Sequence, residues 1–291
     1  MMGQECTVVF WDVQHGHATY IKTPNNRHIV VDLGTGDYSG NNLEFSPLRQ
    51  LRYKYNVTEM DYVVITHPHL DHIDDILNFD LVSPKVLNRP RHITNEVVME
   101  GVQEKDRKKM EKYCEINNRY NTDIAEDSIN NPSKPENWGG LKIQPFTPRT
   151  CDHNNINNHS IIVIIEYATK KIVIPGDNQK CSYDELMSSP SFMAAIKDAD
   201  ILLAPHHGRE SGYNVDFINQ VNPKLTVVSD GRFCETSANG RYSAKSSGWT
   251  VHKKSGNSET RKCLTTNTDG EVVAKFGYGS ENKPYLAVTI E

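Results

Sequence analysis

Three histidines and an aspartate fall together at His67-Pro68-His69-Leu70-Asp71-His72. An apolar run, Tyr62-Val63-Val64-Ile65, leads in, and Asp74-Asp75-Ile76-Leu77 follows. The pattern reads as a buried strand that stops and presents metal ligands in the turn before a helix. His67 and His69 are two apart, so in extended backbone they project to the same side. Asp71 and His72 come after the bend and can serve a second position. Imidazole and carboxylate together suit Zn²⁺, Mn²⁺ or Fe²⁺. A polar loop with a chance histidine cluster is the bland alternative. This ordered spacing, directly after an apolar run, makes the metal reading the stronger one.

Three further polar motifs adjoin apolar runs. Asn157-Asn158-His159-Ser160 precedes residues 161–165, all isoleucine or valine. Ile172-Val173-Ile174-Pro175 ends in Gly176-Asp177, where the glycine permits a tight turn. Ile201-Leu202-Leu203-Ala204-Pro205 ends in His206-His207-Gly208-Arg209. Adjacent residues leaving a strand face opposite ways. One of the two histidines should therefore be a ligand, and the other should orient it or contact substrate.

In this order the motifs resemble the metallo-β-lactamase superfamily, from about residue 7 to 277 with an interruption at 84–140. The resemblance narrows to a ComEC-like subgroup, named for the soluble domain of a DNA-uptake protein. Asp12, Val13, Gly16 and Ala18 match that subgroup's Asp-Val-Gly-Gln-Gly-Asp-Ala. Residues 157–160 resemble its Asn-Asn-x-Ser, and residues 205–209 its Pro-His-His-Gly-Ser with Arg209 in place of serine. His17 stands where the subgroup has aspartate. It is read either as a group that binds substrate or tunes a metal, or as a solvated turn histidine.

The resemblance implies an α/β (α+β) fold, a four-layer αββα sandwich with a helical insertion, as one domain over residues 1–291. It implies two divalent ions, Zn²⁺ or Mn²⁺. One would be held by His67 and His69 with His159, or with Asn158 in the polar role. The other would be held by Asp71, His72 and His207, with Asp177 between the two. His207 is preferred to His206 by analogy with superfamily members that have a single histidine before this glycine. The implied activity is metal-dependent hydrolysis by a hydroxide shared between the ions, and the subgroup tilts it toward a nuclease cleaving DNA or RNA. Asp71, His206 and Arg209 are the candidate catalytic residues. His206 would be the acid for the leaving alkoxide, and Arg209 would hold phosphoryl oxygens. The alternatives are a hydrolase of a small phosphodiester, such as a cyclic nucleotide or choline phosphoester, and a non-catalytic binding module of the same fold.

These residues need scaffolding that the rest of the chain should supply. Strands are expected at 5–13, 18–22 and 28–32, the last ending at Leu33-Gly34-Thr35-Gly36. Residues 46–55 have a helix start, with Ser46 at the cap and Pro47 at the first position, and Leu48, Leu51 and Tyr55 on one face. A strand follows at 61–66, a short helix at 73–77 and a short strand at 85–87. Residues 95–119 read as one helix with six acidic and six basic side chains, so its Arg107-Lys108-Lys109 edge is only a weak candidate for phosphate contact. Residues 121–140 form a long loop. The polar stretch 237–248 is taken as a surface turn, and 227–231 and 263–273 as closing strands.

The chain has 291 residues and 37% hydrophobic content, enough for one large core or two small ones. No run approaches the roughly 18 apolar residues of a membrane span, and no signal peptide is apparent at the start. The six cysteines lack CxxC spacing, which argues against a Cys-rich zinc site and against a disulfide framework, and favours a reducing cytoplasm. The net charge of -5 means that a nucleic-acid substrate would have to be drawn by the metals and a local basic patch.

Overall fold

The computed structural model describes residues 5–35, 45–231 and 238–291, so Gly36, Cys234 and Ser237 lie outside the described residues. Strands are β1 (Glu5–Phe10), β2 (Thr19–Lys22), β3 (His28–Val31), β4 (Met60–Val64), β5 (Pro84–Asn88), β6 (Lys142–Phe146), β7 (Ile162–Tyr167) and β8 (Lys170–Ile174). They continue with β9 (Ile201–Leu203), β10 (Leu225–Val228), β11 (Trp249–Lys253), β12 (Ser258–Arg261), β13 (Cys263–Thr265), β14 (Val272–Tyr278) and β15 (Pro284–Ile290). One sheet runs β12-β11-β15-β14-β1-β2-β3-β4-β5, the other β13-β10-β9-β8-β7-β6.

Alternation of side chains explains how the sheets stack. In β4, Tyr62 and Val64 join the core between the sheets, whereas Val63, and Ile65 just past the strand, face an outer layer. In β7, Val163 and Ile165 point inward, while Ile162 and Ile164 meet the opposite outer layer. Both faces of these strands are covered, which is why they read as unbroken apolar runs. Leu48, Leu51, Ile73, Phe79, Met110 and Tyr113 cover the first sheet. Tyr183, Phe192, Ile196, Phe217 and Tyr242 cover the second. The result is the expected αββα layering of a mixed α/β fold.

Several elements differ from expectation. The single helix over 95–119 is two, Asn95–Met99 and Glu104–Arg119, parted where Gly101 takes φ 68°. Residues 46–55 begin as a helical turn, Pro47–Arg49, capped by the Ser46 side chain, and widen into a π-helical turn, Gln50–Lys54. Leu48 and Leu51 are buried, but Tyr55 lies at the rim against Tyr20. The described part of 237–248 is no surface turn: it holds the helix Asn239–Lys245, anchored by a wholly buried Tyr242. One aromatic ring among polar residues is enough to dock so short a helix. The expected strand 263–273 is interrupted by a short helix, Thr266–Asp269, before Gly270 turns the chain into β14.

The cysteines also depart from expectation. Cys151 and Cys181 form a disulfide, with Cα atoms 6.0 Å apart. Cysteines thirty residues apart in sequence thus pair in space, and the cysteines do not favour a reducing compartment. Cys6, Cys114 and Cys263 are free. Among the described residues, no helix is long and apolar enough to cross a membrane.

Ile174 is wholly buried between the sheets, two residues before Gly176-Asp177. Ile174→Ala is expected to destabilise the protein by about 2–5 kcal/mol, read as a lower midpoint in urea unfolding.

Candidate metal centre

Strands β3 and β4 are parallel, as are β8, β9 and β10, so their C-terminal ends gather at one edge of the sandwich. Asp32 follows β3, and the His67–His72 segment follows β4. Asp177 follows β8, His206 and His207 follow β9, and Ser229 follows β10. Ile161 donates its backbone N–H to the Thr66 carbonyl (2.9 Å), and His206 donates to that of Gly176 (3.1 Å), which knits the edge together. Gly176 has φ +59°, and a Cβ there would lie 2.8 Å from Ser160 Cβ. The turn that delivers Asp177 therefore needs glycine for both conformation and space.

Four of the expected ligands converge. His72 Nε2 lies 3.1 Å from Asp177 Oδ1, and His207 Nε2 lies 3.5 Å from Asp177 Oδ2 and 3.4 Å from Asp71 Oδ2. One ligand atom from each of the four residues falls within 4.8 Å of the others. The ring tautomers can be read from the outer partners. His207 Nδ1 is 3.0 Å from the Ser229 carbonyl, which can only accept, so the proton is on Nδ1. His72 Nδ1 is 2.7 Å from Asp32 Oδ2, which fixes that ring in the same sense. The two Nε2 atoms then face each other at 3.3 Å. Two buried lone pairs at that distance call for a cation or a proton between them. The donor set therefore fits a divalent metal ion.

His67 and His69 form the adjoining position. His67 Nε2 is 3.0 Å from His69 Nδ1 and 3.9 Å from Asp177 Oδ2. Burial, then His72 and His69, hold the His67 pKa well below the usual histidine value, so its ring is neutral and able to ligate.

The structure does not bring His159 to this group. Asn158 Oδ1 accepts from the Gln179 N–H (3.2 Å), and Ser160 Oγ accepts from that of Asp177 (3.1 Å). The intervening His159 ring turns to His92, at 2.8 Å. The third ligand expected beside His67 and His69 is therefore not supplied by His159, and Asn158 is engaged elsewhere. The side chain that reaches His69 is Asn157, whose Oδ1 is buried.

His206 and His207 do not leave β9 in extended backbone. Both are left-handed, with φ 49° and 54°, followed by Gly208 at 75°. This turn brings both rings to Asp177 instead of sending them opposite ways: His206 Nε2 is 3.8 Å from Asp177 Oδ2. Ser211 Oγ (2.8 Å) and Gln179 Nε2 (3.2 Å) hold His206 Nδ1, and Arg209 Nη1 is 3.4 Å from its Nε2.

Asp32 and His15 escaped the sequence reading as parts of the site. Asp32 was visible only as a strand end, yet it orients His72. His17 is buried, with Nδ1 2.9 Å from Asp32 Oδ2 and Nε2 2.8 Å from Thr19 Oγ1. It backs Asp32, and is neither a solvated turn residue nor exposed to substrate. His15, also in that turn, places Nε2 3.3 Å from Asp71 Oδ2.

The electrostatics suit a cation. Burial works to raise the Asp177 pKa, but His72 and His207 outweigh it and hold the carboxyl well below the usual range. Burial opposes a charge on His207, yet Asp177 and Asp71 push its pKa up to about 10 in the metal-free protein. A metal must displace that proton, which stays bound throughout pH 6–8. Zn²⁺ or Mn²⁺ affinity should therefore tighten as pH rises over this range, by up to about tenfold per unit for one proton displaced, in calorimetric titrations at three pH values. Asp32→Asn should weaken metal binding about 10–100-fold while the circular dichroism spectrum stays unchanged.

Residues 11–229 match the Metallo-beta-lactamase superfamily. The chain is similar to ComE operon protein 3 of Bacillus subtilis (strain 168), 23% identical over 247 residues that cover 79% of this chain and 29% of that protein. It is similar to Recombination protein 2 of Haemophilus influenzae, 24% identical over 96 residues that cover 33% of this chain and 11% of that protein. The chain thus spans less than a third of the length of these curated relatives. Among solved structures it overlaps CmlA, a diiron beta-hydroxylase from Streptomyces venezuelae, at a TM-score of 0.41 and 12% identity, covering 78% of this chain and 45% of that one. The family match begins at Trp11, ahead of the turn that backs Asp32, and ends at Ser229, whose carbonyl sets the His207 ring. The chain belongs to the metallo-β-lactamase superfamily.

Proposed function

We propose that this superfamily hydrolase is a phosphodiesterase that cleaves nucleic acid, using two divalent ions, Zn²⁺ or Mn²⁺. The observation that carries the reading is the pairing of Arg209 with His206 beside Asp177. It sets a guanidinium, the side chain best matched to phosphate oxygens, at the rim of a centre built for cations. A relative named Recombination protein 2 also favours a nucleic-acid substrate.

His67, His69 and Asp177 would hold one ion, with Asn157 beside them, and Asp71, His72, His207 and Asp177 the other. Two such ions would supply Lewis acidity and lower the pKa of bound water. Arg209 binds the phosphoryl oxygens and faces the charge that develops on them. Ser211 Oγ and Gln179 Nε2 hold His206 Nδ1, and Arg209 Nη1 meets its Nε2, which keeps the ring beside Asp177. Burial holds the His206 pKa below the usual value. At neutral pH the His206 ring is therefore uncharged, and it becomes a proton donor to the leaving oxygen only as pH falls.

The test is an assay with Mn²⁺ and Zn²⁺ on single- and double-stranded DNA, RNA, cyclic nucleotides and a chromogenic phosphodiester. Metal-dependent cleavage of a polymer is expected, with Asp71→Ala lowering both rate and metal load by about a hundredfold or more. Arg209→Ala should cost about 10²–10³ in kcat/KM with full metal content. Turnover of the small esters alone would move the assignment to a small phosphodiester, and a metal-loaded chain inert on every substrate would overturn it.

A further inference from the structure

A second group of side chains, away from Asp177, has the make-up of a metal site. His92 follows β5, His153 lies in the loop between β6 and β7, and His159 ends the short 3-10 turn before β7. His92 Nε2 is 2.8 Å from His159 Nδ1. The His153 ring centroid lies 5.9 Å from that of His92 and 4.9 Å from that of His159. One ligand nitrogen from each falls within 4.8 Å of the others. His159 Nε2 is 3.3 Å from the Asp152 carbonyl, which accepts, so its proton is there and Nδ1 offers a lone pair to the cluster. Burial, then His159 and Arg149, lower the His92 pKa to about 4, and burial lowers that of His159. Both rings are therefore neutral, the form in which imidazole ligates.

We propose that His92, His153 and His159 form a third metal site, distinct from the centre at Asp177, for a first-row divalent ion that favours imidazole: Zn²⁺, Ni²⁺ or Cu²⁺. Metal–nitrogen bonds of about 2.0–2.1 Å at a tetrahedral angle set the nitrogens roughly 3.3 Å apart. The His92–His159 pair needs to open by only about half an ångström to admit the ion. His153 is exposed, which leaves the fourth position to water. The disulfide between Cys151 and Cys181 anchors the His153 loop two residues away. The bound ion would tie down the 156–159 turn, where Asn157 meets His69 and Asn158 holds Gln179. It would brace the inner centre from behind without taking part in the chemistry.

The test is Zn²⁺ binding by the full chain, measured by metal analysis and calorimetry, with folding checked by circular dichroism. Wild type should bind one more Zn²⁺ than His153→Ala, or bind that ion at least about tenfold more tightly. Zn²⁺ should still raise the melting temperature of an Asp177→Asn, His207→Ala double variant, and the rise should vanish when His153→Ala is added. His153 is exposed, so its replacement keeps the test open if His92→Gln fails to fold. Equal stoichiometry and affinity in wild type and His153→Ala would overturn the proposal. No readout needs hydrolytic activity: an inactive chain that binds the extra ion upholds this site, and an active chain without it removes the site alone.

Discussion

A carboxylate taken out of water stays ionised only where donors surround it. Asp32 is wholly buried and meets that condition fourfold. Its Oδ1 accepts from the Thr66 N–H at 2.6 Å, and its Oδ2 accepts from Thr66 Oγ1 at 2.7 Å. His17 and His72 bring their Nδ1 atoms to the same Oδ2. Burial would push the Asp32 pKa up, but His72 and His17 hold it far below the usual range. One side chain thereby joins the end of β3, the turn before β2 and the start of the ligand segment. The direction of the His72 ring, and through it the place of Asp177, follows from this knot.

The fold was legible because both faces of the central strands are buried. Runs such as residues 62–65 and 161–165 leave little choice but an interior strand, and their polar endings marked the edge where the site lies. The structure gathers His67, His69, Asp71, His72, Asp177 and His207 at one edge because each sits at such an ending. His159 could not be placed in the same way. Whether a residue in a short turn faces one side or the other depends on what holds its neighbours, and Asn158 and Ser160 are held by backbone groups more than fifteen residues away. Asp32 was hidden for a related reason, since its role is defined by three partners from distant segments.

Local backbone rules also failed where tertiary contacts overrode them. The alternation expected at His206 and His207 assumes extended backbone. Three successive left-handed residues replace it and turn both rings to one carboxylate. Such conformations cost of order 1–3 kcal/mol per non-glycine residue and persist where surroundings over-determine them. Here the Ser229 carbonyl, Ser211 and Gln179 do so. The acidity of the site has a similar origin. An overall charge of -5 says little about the centre, where Asp32 and Asp177 are buried and Asp71 is half-buried beside them.

The bond between Cys151 and Cys181 encloses His153, His159 and Asp177 in one covalent ring of chain. Closing a ring of about thirty residues removes unfolded-state freedom worth roughly 3–4 kcal/mol on the chain-entropy account. That is a sizeable part of a typical domain's net stability of about 5–15 kcal/mol. The segment that carries Asp177 is thus held partly by what the unfolded chain is forbidden to do. The thiol chemistry of its surroundings becomes a determinant of how long the metal-binding edge stays assembled.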